Sequence, residues 1–219
     1  MRKLLLAATV AGAAFAAQQA KATTIDYSTN GTTWTNIVGG ASGSSVTVSG
    51  TFGGITVDSL IGSSNSPGTP SLAKVLSATV NLQNSTTSSQ TVWFRFSDTG
   101  FTSPTAPPNL VLNSHIGGTV YQGGATNALS FYSTAGSYTS PTGTPGIVSG
   151  SFNDDKSVLI SSLSAPFNMS EVLQLTLSAG SAMNFSGSST VSQVPEPATL
   201  GLLGAGLVGL GALRRRRKA

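Results

Sequence analysis

The chain has 219 residues, no cysteine, only 8% charged residues and a formal net charge of +4. The lack of thiols excludes a disulfide framework, cysteine-based zinc ligation and a cysteine nucleophile. With 26 glycines and a middle rich in serine and threonine, the composition suits either an exported β-protein or a low-complexity stalk.

The first 22 residues read as a secretory signal peptide. Arg2 and Lys3 make a positive start, residues 4–17 are apolar with no polar face, and Ala20-Lys21-Ala22 offers a small-residue cleavage site with Ala20 and Ala22 at its recognised positions. The mature chain is expected to begin near Thr23, with signal peptidase as the first partner. Removing this segment and the basic C-terminus leaves Lys74, Arg95 and Lys156 against Asp26, Asp58, Asp98, Asp154, Asp155 and Glu171, a net charge of −3 for residues 23–193. Nucleic acid is therefore not an expected partner, because phosphate binding needs clustered cations.

Two-residue alternation favours a folded middle. Val46, Val48 and Phe52 alternate with Thr47, Ser49 and Thr51, and Ile55, Val57 and Ile61 resume the period after Gly53-Gly54, which predicts a hairpin. Leu76, Ala78, Val80 and Leu82 predict a further strand, residues 84–90 a turn, and Val92, Phe94 and Phe96 a strand whose opposite face carries Trp93 and Arg95. These two strands are expected to pair as a second hairpin. Shorter strands are predicted at residues 119–122, 129–132, 147–152, 157–160, 172–177 and 182–185. No helical period spans three turns between Thr23 and Gln193, so the expected fold is all-β, an antiparallel β-sandwich with a jelly roll as one form of it. About 170 residues suffice for one core.

Few residues carry recognisable chemistry. His115 is the sole histidine, and Asn113-Ser114-His115 before Gly117-Gly118 reads as a solvated surface turn. Asn153-Asp154-Asp155 resembles part of a calcium loop but lacks a spaced third carboxylate, and reads instead as a turn between strands ending at Phe152 and beginning at Ser157. No metal site is assigned. Asp58, Asp98 and Glu171 supply a glycosidase pair only if the fold brings two of them together. Trp34, Trp93, Tyr121, Tyr132 and Tyr138 are candidates for sugar stacking, with Trp93 the best single one because it shares a face with Arg95. No catalytic residue and no cofactor is assigned, and the chain is not read as an enzyme.

The C-terminus is the most specific segment. Val194-Pro195-Glu196-Pro197 precedes an uncharged run of 16 residues, 198–213, and then Arg214, Arg215, Arg216, Arg217 and Lys218. As a helix that run would reach about 24 Å, short of the roughly 30 Å hydrocarbon core, so it is a marginal transmembrane span. The five cations act as a basic stop that stays cytoplasmic and leaves the preceding chain outside.

Motif, span and basic cluster, in this order, resemble the PEP-CTERM sorting signal of Gram-negative bacteria. The resemblance covers residues 194–219 alone. It implies recognition and removal of the tail by an exosortase, transient residence in the inner membrane and delivery to the cell surface or extracellular matrix. The expected organisation is a signal peptide at 1–22, a β-sandwich ectodomain at 23–193 and a sorting tail with a transmembrane helix at 194–219. Two functional classes follow: a non-catalytic surface or matrix protein, or a carbohydrate-binding or glycan-active protein whose partner is an exopolysaccharide.

Overall fold

A computed structural model describes residues 22–105, 109–123, 127–146 and 149–194. Of the segment read as a signal peptide, residues 1–21 lie outside the described residues, as does the tail from Pro195 onward. Among those described there is no α-helix.

Alternation builds the strands. In β5 (Leu72–Asn84) and β6 (Gln90–Phe101) nearly every second side chain is buried, so each strand presents one apolar face. The other strands in chain order are β1 (Ala22–Ser28), β2 (Thr35–Ala41), β3 (Ser45–Phe52), β4 (Ile55–Ser64), β7 (Leu110–Gln122), β8 (Ala128–Ala135), β9 (Tyr138–Thr139), β10 (Gly150–Ile160), β11 (Phe167–Leu177) and β12 (Ala182–Gln193). They form two six-stranded sheets, A in the order β2-β1-β6-β11-β8-β9 and B in the order β10-β7-β12-β5-β4-β3.

The inner faces of both sheets close over one core, which makes the fold a β-sandwich. Phe94, Phe96 and Phe131 from sheet A meet Leu60, Leu82, Leu112 and Ile116 from sheet B, all essentially inaccessible to water. Phe96 and Phe185 touch edge-on across the interior with ring centroids 6.2 Å apart. Each such buried side chain contributes roughly 2 kcal/mol, and without disulfides this packing must hold the domain.

The predicted β3–β4 hairpin is present. Gly53 and Gly54 take positive φ of 55° and 84°, the left-handed pair that a tight two-residue turn requires. The second predicted hairpin is not. Both strands exist, but β5 lies in sheet B between β4 and β12, and β6 lies in sheet A between β1 and β11. The buried Asn84 makes the crossing: its Nδ2 donates to Ser88 O at 2.8 Å and to Leu177 O at 2.9 Å, anchoring the link between the sheets.

Two other expectations are corrected. His115 is not in a turn but in the middle of β7, and Gly118 after it serves close packing. A Cβ on Gly118 would come within 2.3 Å of Asn184 O and 2.6 Å of the Phe152 ring. Asn153, Asp154 and Asp155 are not a turn either; β10 runs unbroken through them at the edge of sheet B. Charge on an edge strand discourages pairing with another chain, so it fits a strand as well as a turn. Strands β1 and β2 carry no long apolar alternation, so the sequence gives no strand signal for them.

Candidate functional site

The outer face of sheet A gathers the chemistry-bearing side chains. Burial of Val92, Phe94 and Phe96 forces Trp93 and Arg95 outward, as the period of the strand requires. Pairing then sets their neighbours. Asp26, Arg95, Val172 and Tyr132 form one row across β1, β6, β11 and β8, and Ser28, Trp93, Gln174 and Ser130 form the next.

Arg95 is the hinge of this surface. Its Nε and Nη2 donate to Asp26 Oδ2 at 3.0 and 2.8 Å, and its Cζ lies 4.5 Å from the Trp34 ring centroid. Asn36 Nδ2 donates to Asp26 Oδ1 at 2.9 Å, so both carboxylate oxygens are engaged. The guanidinium is thus oriented by a charge-assisted pair and stacked on an indole. Trp93 lies against the loop after β1, where a Cβ on Gly31 would sit 3.1 Å from the indole nitrogen. Gln174 Oε1 accepts from Ser130 Oγ at 3.2 Å beside it.

Hydroxyl pairs flank these rows. Thr24 and Ser97 meet at 2.8 Å, Thr134 and Ser170 at 2.7 Å, and Thr91 and Thr176 at 2.9 Å. The face therefore offers half-exposed rings, an oriented guanidinium, an amide and rows of hydroxyls on a rigid sheet. Such a surface can stack on an apolar ring face and exchange hydrogen bonds with hydroxyl-rich partners.

Of the aromatic candidates, Trp34, Trp93 and Tyr132 share this face. Tyr121 stands exposed on sheet B, bonded to Asn81, with its hydroxyl pKa raised by desolvation and by nearby Asp58. Tyr138 packs against the core. Sequence periodicity identified Trp93 and Arg95, but the stacking of Arg95 on Trp34 joins residues too far apart for any local pattern to reveal.

The carboxylates are dispersed. Asp58 is exposed on β4 and bonded to Asn81 at 2.7 Å, whereas Asp98 and Glu171 point inward. Those two occupy diagonal positions on paired strands, since Asp98 faces Met169 and Glu171 faces Phe96. Both are wholly buried, so no water or sugar reaches a carboxyl pair there. Burial pushes the Glu171 carboxyl up to about 8, opposed by its bond from Ser77.

His115, Asp155 and Ser188 stand in one row across β7, β10 and β12, with His115 Nδ1 and Asp155 Oδ1 2.8 Å apart. No hydrogen bond joins Ser188 to the imidazole, and Asp155 is 71% exposed, so the row lacks the relay and the enclosure of an acyl-transfer site. Among the described residues no three His, Asp or Glu side chains converge on a metal-sized site.

Comparison with known proteins adds the remaining information. A search of curated proteins finds no match. The chain is similar to the solved structure of TmCBM61 in complex with β-1,4-galactotriose, at 5% identity and a TM-score of 0.34, covering 60% of this chain and 86% of that one. The family profile described as the PEP-CTERM protein-sorting motif matches residues 193–217, and a tail of this kind implies export, membrane passage and processing by an exosortase. The chain carries a PEP-CTERM protein-sorting motif that begins on the final residue of β12.

Proposed function

We propose that the protein is an exosortase-processed component of the cell surface or extracellular matrix, with the β-sandwich as its non-catalytic cargo. The observation that carries this reading is the sorting motif at 193–217, which starts on the last residue of β12. The Val194 N–H still donates to Asn109 O at 2.8 Å, so the fold holds the chain up to the residue before Pro195. A cut in the tail would then release an intact domain. In this reading signal peptidase removes residues 1–22, the apolar run at 198–213 pauses in the inner membrane, and Arg214 to Lys218 keep its end cytoplasmic. Mass spectrometry of surface material tests it: the protein should be recovered without Leu213 and the arginines, and their presence there refutes processing.

A second reading is favoured by one observation, the juxtaposition of Trp93, Trp34, Arg95 and Tyr132 on one sheet face. In it the cargo holds the matrix by binding an exopolysaccharide. A glycan array probed with the exported protein tests this, and silence across neutral and acidic glycans counts against it.

A further inference from the structure

Asp98 is completely buried at the end of the inner face of sheet A. Its carboxylate accepts from Thr23 Oγ1 at 2.7 Å, Ser42 Oγ at 2.9 Å, the Gly43 N–H at 2.9 Å and the Thr99 N–H at 2.6 Å, and also from Ser64 Oγ. One side chain therefore ties together the start of β1, the turn from β2 to β3, the end of β4 and β6. Every one of these donors is neutral. Among the described residues no lysine, arginine or histidine pairs with Asp98. A buried carboxylate held by dipoles alone attracts a nearby cation more strongly than it would in water.

One cation is placed to arrive there. Thr23 is itself 1% exposed, and its hydroxyl already rests on Asp98 Oδ2. A cut after Ala22 would turn the backbone nitrogen of Thr23 into an ammonium. Within one threonine that nitrogen lies about 3 Å from its own hydroxyl oxygen, which places the new charge within about 6 Å of the carboxylate. We propose that Asp98 is the docking site for the mature N-terminus, an internal cation site whose ligand is the α-ammonium of Thr23. The inference rests on the reading of Ala20-Lys21-Ala22 as the cleavage site. In the precursor the same nitrogen is a neutral amide, so the charge pairing arises only after signal removal, on top of the hydroxyl contact already present. It clamps β1, a terminal strand that would otherwise be prone to fray.

The test uses three forms of the chain ending at Ala219, released in detergent micelles from an N-terminal fusion. One begins at Thr23, one begins at Ala22, and one begins at Nα-acetylated Thr23, in which the acetyl group stands where the Ala22 carbonyl was and removes only the charge. The free Thr23 form is expected to melt several degrees above the other two. Its α-amine should also react more slowly with an acylating reagent than that of the Ala22 form. Equal melting temperatures or equal reactivities overturn the proposal. Asp98→Asn should close the gap between the free and acetylated forms, and a gap that persists also overturns it. N-terminal sequencing of the exported protein separates the two failures: a start other than Thr23 refutes the cleavage reading, whereas a Thr23 start without a melting gap refutes docking.

Discussion

Ser77 Oγ on sheet B donates to Glu171 Oε2 on sheet A at 3.0 Å, a polar contact across the middle of an otherwise apolar interior. The other oxygen, Oε1, is buried without a hydrogen-bond partner. Desolvation therefore dominates, and the carboxyl keeps its proton to about pH 8.

Stability should fall as pH rises. The unfolded chain releases this proton near 4.5 and the folded one near 8, so between these values the native state holds more protons and alkali favours unfolding. The loss is at most about 1.4 kcal/mol per pH unit across that window and levels off above it. Urea midpoints at pH 5, 6.5 and 8 should decline in the parent, whereas Glu171→Gln, which cannot ionise, should flatten the trend. A parent midpoint that rises with pH contradicts this account.

Gly187 and Glu171 should be energetically coupled. A Cβ on Gly187 would sit 1.7 Å from Glu171 Oε1 and 2.5 Å from Ser77 Oγ, so Gly187→Ala is expected to cost about 3 kcal/mol or more. Shortening the opposing side chain makes room. The double variant Gly187→Ala with Glu171→Ala should be markedly more stable than the sum of the single effects, measured as a double-mutant cycle in urea.

If the outer face of sheet A holds glycan, Trp93→Ala should weaken retention in affinity electrophoresis by at least about tenfold. Tyr121→Ala, on the opposite sheet, should leave retention unchanged. Equal effects from the two substitutions would assign binding elsewhere.

Proline lacks the N–H that a helix needs and disfavours helical backbone in the residue before it, which makes the motif itself the first target for substitution. Replacing Pro195, Glu196 and Pro197 together by alanine should preserve export while the protein accumulates in the inner membrane with its tail attached. If the 16-residue run spans the membrane, neutralising Arg214 to Lys218 should instead weaken membrane retention, because a span that short needs its cationic stop. Fractionation followed by mass spectrometry of the C-terminus distinguishes these outcomes.

Local information carried the sorting motif and the strand character. The sorting motif is contiguous, and alternation reports which faces are buried because a strand repeats every two residues whatever lies beside it. The outward placement of Trp93 and Arg95 follows from that rule alone. Pairing does not. Whether β5 meets β6 or crosses away from it depends on the side-chain bonds of Asn84 and on which partners lie ready in each sheet, contacts that reach 93 residues along the chain. The same holds for His115, whose glycine neighbours look like a turn until Phe152 and Asn184 close against them. Only the tertiary structure could seat Arg95 on Trp34, seal Asp98 and Glu171 from water and bring Thr23 onto a carboxylate 75 residues away, because burial and charge contact are properties of the assembled sheets rather than of any segment.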